Sequence, residues 1–506
     1  MFGRVGKVVA VALASSLVAV GCTQDETDGS APRKDLRIGF TAAPISLDFT
    51  QDDGAAIPEA LLVNVYEGLV KIDEYGTLVP LLAKDWEVSK DRTVYTFELR
   101  ENATFSNGEK FTAEDAVFSI ERVQQEWKPA VKAGMDVVQD AKALNPTTLQ
   151  VKLEQPSNNW LFQMATRIGA MFPEGDVDKL ATEAVGTGPY QVAEWNEGES
   201  LSLQRRDDYW GDKPDVEDIT LQYFDDPNAL NNALRAGDID VISNVQAPES
   251  LAVFSNELKY RISEGSTNGE VLLAFNHDNE ALSDLKVRQA IKYGLDRREI
   301  RETAWDGRGQ LIGSMVPPTD PWYEDLSNRY PHDPARARDL LRQAGFEPNE
   351  LSLRLRIPTL PYAERGAQVV KSQLKDIGIK VELDTLEFPD RWLAEVFGQA
   401  DYDLSIISHV EPWDMPVLFG DPDYYLKYDN PEFRDLLAQA DGGTRQQQIE
   451  KLKEAAAILS DDAASDFLFL MPSLKVSSRR VEGVPTNTVS EAFDLTTLSL
   501  SASGKS

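Results

Sequence analysis

"LSLRLRIPTLPYAERGAQVVKSQLKDIGIKVELDTLEF", residues 351–388, reads as strand, helix, strand. Runs 351–358 and 379–388 have the strand pattern, and 363–378 has helical spacing that stops at Gly378. A second such unit lies upstream: strand 218–224, helix 226–237, strand 238–243. Pro227 suits its first helical turn and Gly237 its C-terminal cap. Further strands are expected at 35–40, 271–276 and 402–409, and helices at 333–345 and 444–459, the latter opened by a Thr444/Gln447 capping box. Helix 112–127 starts at Thr112, and the alternating runs of 85–100 and 188–206 read as hairpins. Two longer segments are read as single helices, and a third as a run of buried-strand character. Residues 57–70 place Leu61, Leu62, Val65 and Leu69 on one helical face; 283–305 is one long helix started by Ser283 or Asp284; 467–478 is a nearly all-apolar buried strand run. Units of this kind predict an α/β protein of two lobes with a cleft between them.

Length and composition agree. A chain of 506 residues exceeds what one hydrophobic core normally serves. It is 42% hydrophobic and 27% charged with nine Trp, the make-up of a globular protein. The formal net charge of -33 works against nucleic acid and anionic lipid surfaces as partners. The one cysteine, Cys22, cannot form an internal disulfide. Arg4 and Lys7 precede the uncharged run 8–20, which is too short to span a bilayer and suits a signal peptide over residues 1–21. A polar tether follows from Cys22 to residue 34.

Enzyme chemistry has little to stand on. His277, His332 and His409 lie far apart, without metal-ligand spacing. The glycines of "DGRGQLIG", 306–313, follow a helix and not a strand, so they form a turn and not a phosphate loop. No Gly-x-Ser-x-Gly elbow occurs. Two segments do invite a ligand. "GTGPY", 186–190, allows close approach of a ligand or a neighbouring chain at Gly188 and Tyr190. "SHVEPWDMP", 408–416, closes a strand with an aromatic beside carboxylates, the groups that capture an ammonium ion.

"YEGLV" (66–70), "GTGPYQV" (186–192), "RRDDYWGDKPDVEDI" (205–219), "LRAGDIDVI" (234–242), "LLAFNHDNEALSDLKVRQAIKYGLDRREI" (272–300) and "YPHDPARARDLLRQAGF" (330–346) follow one another in an order that resembles the family 5 extracytoplasmic solute-binding proteins, the binding components of peptide and nickel ABC importers. The resemblance implies a two-lobed periplasmic-binding-protein fold. Lobe I would hold 35–264 and 471–506, with an extra subdomain at 76–185, and lobe II would hold 265–470. It implies a non-enzymatic monomer that captures short peptides and delivers them to a membrane permease, without cofactor or resident metal. A nickel chelate or another small organic solute is the alternative ligand, and a carboxylate-based extracellular hydrolase is the alternative class. In peptide-binding relatives a carboxylate after the strand matching 402–409 pairs with the peptide's α-ammonium. The expected position falls on Pro412, which transfers the role to Asp414 or Glu411, with Trp413 as a pocket wall. Ser408, His409 and Val410 would add contacts, as would Gly188, Tyr190 and Asn276. "LVAVGC" resembles a lipobox, implying that Cys22 is lipidated and anchors the exported protein to the membrane, in a periplasmic space or on the outer cell face.

Overall fold

The computed structural model describes residues 35–52, 54–128 and 130–501; the expected signal peptide, Cys22 and the expected tether lie outside them. Strand Leu36–Phe40 organises the first sheet. It pairs in parallel with Asp218–Tyr223 on one side and Val241–Ile242 on the other, so helix Pro227–Ala236 crosses over between them. That helix is bounded as its sequence dictates: the Asp226 side chain accepts from the Asn228 N–H, and Gly237 ends it at φ 80°. The complete seven-stranded sheet runs Tyr260–Gly265, Ser473–Ser478, Val241–Ile242, Leu36–Phe40, Asp218–Tyr223, Ser200–Arg205, Tyr190–Asn196. Its inner face buries Leu36, Ile38, Leu203 and Ile219, each worth about 1.5–3 kcal/mol relative to exposure.

An antiparallel four-stranded sheet, Ala83–Val88, Val94–Leu99, Thr148–Leu153 and Val138–Asn145, packs beside helix Ala113–Glu126. A capping box of Thr112 and Asp115 opens that helix. Phe49, Tyr66, Trp127 and Phe172 form the aromatic centre of this region, with Tyr66 and Phe172 5.0 Å apart.

The second large sheet has five strands, in the order Lys380–Leu386, Ser352–Pro358, Leu404–His409, Glu270–Phe275, Ser465–Leu470. The first three are parallel and the last two pair antiparallel. Helix Pro361–Asp376 supplies the crossover anticipated from 351–388. The chain passes from the seven-stranded sheet to the five-stranded one between Gly265 and Glu270, and returns between Leu470 and Ser473.

Two expectations need correction. The helix expected at 57–70 is only Ala56–Leu61. Leu62 is extended, Val63 takes φ 59°, and buried Asn64 donates to the Ala60 and Phe493 carbonyls while accepting from the Leu495 N–H at 3.0 Å. The apolar residues beyond Leu61 are buried because the chain threads the core, not because they share a helix face. The helix expected at 283–305 is two, Leu285–Gly294 and Arg297–Trp305. Gly294 packs on Ile377, Leu295 is extended, and Asp296 caps the second helix as Asp284 caps the first. The apolar run 467–478 holds parts of two strands, one at the edge of the five-stranded sheet and one inside the seven-stranded sheet. Pro472 has no N–H to offer a ladder, and the break falls there.

Candidate functional site

A cavity of about 280 Å³ lies where the end of strand Leu404–His409, the start of strand Glu270–Phe275 and helices Pro431–Gly442 and Arg445–Asp461 converge. Its lining includes Glu270, Asp320, Trp322, Trp413, Asp414 and, from the side of the smaller antiparallel sheet, Asn159. The loop after His409 builds one wall. Trp413 sits at φ 57°, a left-handed conformation rare for a bulky residue. Its ring stacks on Phe162 at 3.5 Å and meets Trp322 edge-on at 4.8 Å. Those contacts hold the strained residue and set the next side chain, Asp414, against the cavity.

Asp414 is buried, and its Oδ2 has no hydrogen-bond partner among the described residues. Burial first, then the charges of Glu411 and Asp320, push its carboxyl well above the usual range. Glu270 is 1% exposed, also with an unpartnered oxygen, Oε2. Burial raises it strongly, with Asp414 and Asp320 adding to the effect. Burial lifts Asp320 to about 7, against the opposing pull of the Trp413 indole and the Arg445 guanidinium. The result is an aromatic-walled pocket with no basic side chain in its lining, where Arg445 acts on Asp320 from outside, and this is the electrostatic complement of a cation.

Beside the pocket, hydrogen bonds cross between the two halves. Ser157 Oγ and the Asn159 N–H donate to Asp441 at 2.9 and 2.7 Å, and Asn158 Nδ2 donates to the Ala440 carbonyl at 2.8 Å. Arg92, in the turn of hairpin Ala83–Leu99, donates to the Gly442 carbonyl at 3.0 Å.

Residues 77–430 match the model of the bacterial extracellular solute-binding proteins, family 5 Middle. The chain belongs to this family. It is similar to the dipeptide-binding protein of Escherichia coli (strain K12), 26% identical over 416 residues that cover 75% of this chain and 74% of that protein. The nickel-binding periplasmic protein of the same organism is 28% identical over 341 residues, covering 63% and 65%. The periplasmic binding protein DppA of Helicobacter pylori, solved with the peptide STSA, superposes with a TM-score of 0.81 at 22% identity, covering 92% of this chain and 98% of that one. The fold is therefore the two-lobed periplasmic-binding type with mixed α/β content.

The sequence-derived site residues divide. Trp413 and Asp414 line the cavity. Glu411 is exposed beside it, and one donor atom each from His409, Glu411 and Asp414 lie within 4.8 Å of one another. His409 is buried and held neutral, its pKa lowered to about 4 by burial, with Nε2 2.8 Å from the Tyr425 hydroxyl. The Ser408 N–H donates to the Tyr362 hydroxyl, and Val410 is exposed. Ser408, His409, Val410 and Glu411 are outside the cavity lining, and so are the other three. Asn276 donates to the Ala400 and Tyr402 carbonyls, fastening two strand ends. Tyr190 is fully buried, its hydroxyl donating to the Val216 carbonyl. A Cβ on Gly188 would stand 2.4 Å from the Asn64 carbonyl oxygen, and one on Gly186 2.0 Å from that of Val65. The neighbour these glycines admit is the protein's own chain. Glu270, Asp320, Trp322 and Phe162 were not anticipated. A charged residue heading the otherwise apolar strand "EVLLAF" was the one available signal.

Proposed function

We propose that this protein captures short peptides outside the cytoplasmic membrane by closing its lobes over them, and hands them to an ABC permease. The observation that carries this is Asp414, a buried carboxylate with a free oxygen in an aromatic-walled cavity between the halves of the chain. A peptide's α-ammonium would give it a charge-assisted hydrogen bond, and the Trp413 ring would add cation–π attraction. The dipeptide-binding and peptide-bound relatives support peptides as the cargo. The crossings at 266–269 and 471–472 would serve as hinges between lobe I (35–264, 471–506) and lobe II (265–470). Binding without turnover, by a monomer, completes the reading. Calorimetry with di- to pentapeptides and their N-acetylated forms tests it. Free peptides should bind and acetylated ones should lose most of their affinity; equal binding, or none, would sink the ammonium anchor.

A nickel chelate is the second reading, favoured by the His409, Glu411 and Asp414 donors and by the nickel-binding relative. Binding of a nickel–histidine complex in place of every peptide would select it. We further infer that Cys22 carries a lipid that holds the exported protein at the membrane, since acyl chains contribute roughly 0.8 kcal/mol per buried methylene. Cys22→Ser should move the protein from the membrane fraction to the soluble one, and unchanged fractionation would defeat the assignment.

A further inference from the structure

The cavity holds more carboxyl groups than one ammonium can answer. Its lining contains four acids, Glu270, Asp320, Asp414 and Asp441, and no Lys, Arg or His. Asp441 is already satisfied by Ser157 Oγ and the Asn159 N–H. The other three remain, and both Glu270 and Asp414 are more than nine-tenths buried with an oxygen that meets no donor among the described residues. Arg445, outside the lining, is the cation whose charge acts on Asp320. It lies 5.9 Å from the Trp322 and Trp413 rings, is exposed, and donates to Gln448 Oε1.

Resting on the peptide reading, we propose that the ligand is dicationic: its first ammonium pairs with Asp414, and a second ammonium or guanidinium group is received by Glu270 and Asp320. A singly charged ligand on Asp414 would leave Glu270 in the cavity either uncompensated or protonated, and unpaired buried charge is costly. Two positive groups would give each orphaned oxygen a donor, and Trp413 and Trp322 offer ring faces beside them. Burial and mutual repulsion keep Glu270 and Asp414 raised in the ligand-free protein, so these groups can wait as neutral acids until a cation draws them into ionising. The paired positive groups could come from a basic peptide or from a free diamine. The volume of about 280 Å³, at the low end for small-molecule pockets, favours dipeptide-sized members of either kind.

Calorimetry of the mature protein with Lys-Ala, Met-Ala and 1,4-diaminobutane tests this. Lys-Ala should bind about tenfold or more tighter than Met-Ala, and Glu270→Gln should bring that ratio close to one by weakening Lys-Ala. Equal affinity for Lys-Ala and Met-Ala would overturn the dicationic ligand while leaving the peptide reading intact. Binding of 1,4-diaminobutane with neither dipeptide bound would do the reverse. Glu270→Gln weakening both dipeptides by the same factor would make Glu270 a structural residue and overturn its role here. Failure of all three probes would remove both readings.

Discussion

Asp414→Ala should weaken binding of a peptide with a free amino terminus by roughly 30-fold to several thousand-fold, while the ligand-free protein melts no lower than wild type. The loss follows from leaving the ammonium buried and unpaired, about 2–5 kcal/mol for truncating one member of such a pair, with 1.4 kcal/mol to each factor of ten. The stability effect has the opposite sign for a structural reason. Asp414 precedes helix Met415–Gly420, yet its side chain caps no N–H there, and its Oδ2 meets no donor. Removing it forfeits only the carboxyl's contact with its own backbone N–H and relieves a desolvated carboxyl. A residue that costs stability and gains its partner only from the ligand behaves as a binding residue, not a core one. Glu411→Ala serves as the comparison. Glu411 is exposed, so its removal should change affinity by less than about fivefold. A larger loss at Glu411 than at Asp414 would move the anchor to Glu411, and no loss at either would remove it from this loop.

How much of this was readable beforehand depended on whether the cause was local. The N-cap at Thr112, the capping box at Thr444, the helix bounds at Pro227 and Gly237 and the hairpins are set by residues within a few positions of each other, and they stand where the sequence put them. The helix expected beyond Leu61 failed for a non-local reason. Asn64 is claimed by the Phe493 and Leu495 backbone more than 400 positions away, and no periodicity within 57–70 encodes that. The site behaves the same way. Asp414 and Trp413 were legible because an aromatic and carboxylates crowd one loop after a strand. Glu270, Asp320 and Phe162 reach the same place from separate elements, so only the fold reveals them as neighbours. Gly188 and Tyr190 show the converse. Their turn chemistry was read correctly as permitting close approach, but the approaching group is the Asn64–Val65 backbone.

Asp466→Ala should cost about 3–5 kcal/mol of stability, read as a lower urea midpoint by far-UV circular dichroism, because it strands buried positive charge. Asp466 is fully buried, and its Oδ1 accepts from Arg297 Nε at 2.7 Å with Lys292 Nζ 3.6 Å away. Lys292 is 2% exposed, donates to the Ser465 carbonyl at 2.8 Å and lies over the Tyr330 and Phe467 rings. Burial outweighs the pull of Asp466 and holds the Lys292 ammonium down to about 7 from 10.5. Between those values the unfolded chain keeps a proton that the folded protein has lost. Stability contributed at this site therefore rises with pH across that window and is flat below it. Lys292→Met should abolish that slope, and an unchanged pH profile would show that Lys292 stays protonated in the fold. The strand that carries Asp466 runs into Met471 and Pro472 and from there to the other large sheet. Its hydrogen-bonded neighbour in the sheet begins at Glu270. Loosening this edge should therefore reach the cavity, and a destabilised Asp466 variant should bind more weakly near its melting transition than at low temperature. Asp414→Ala, whose fold is intact, should be weak at both.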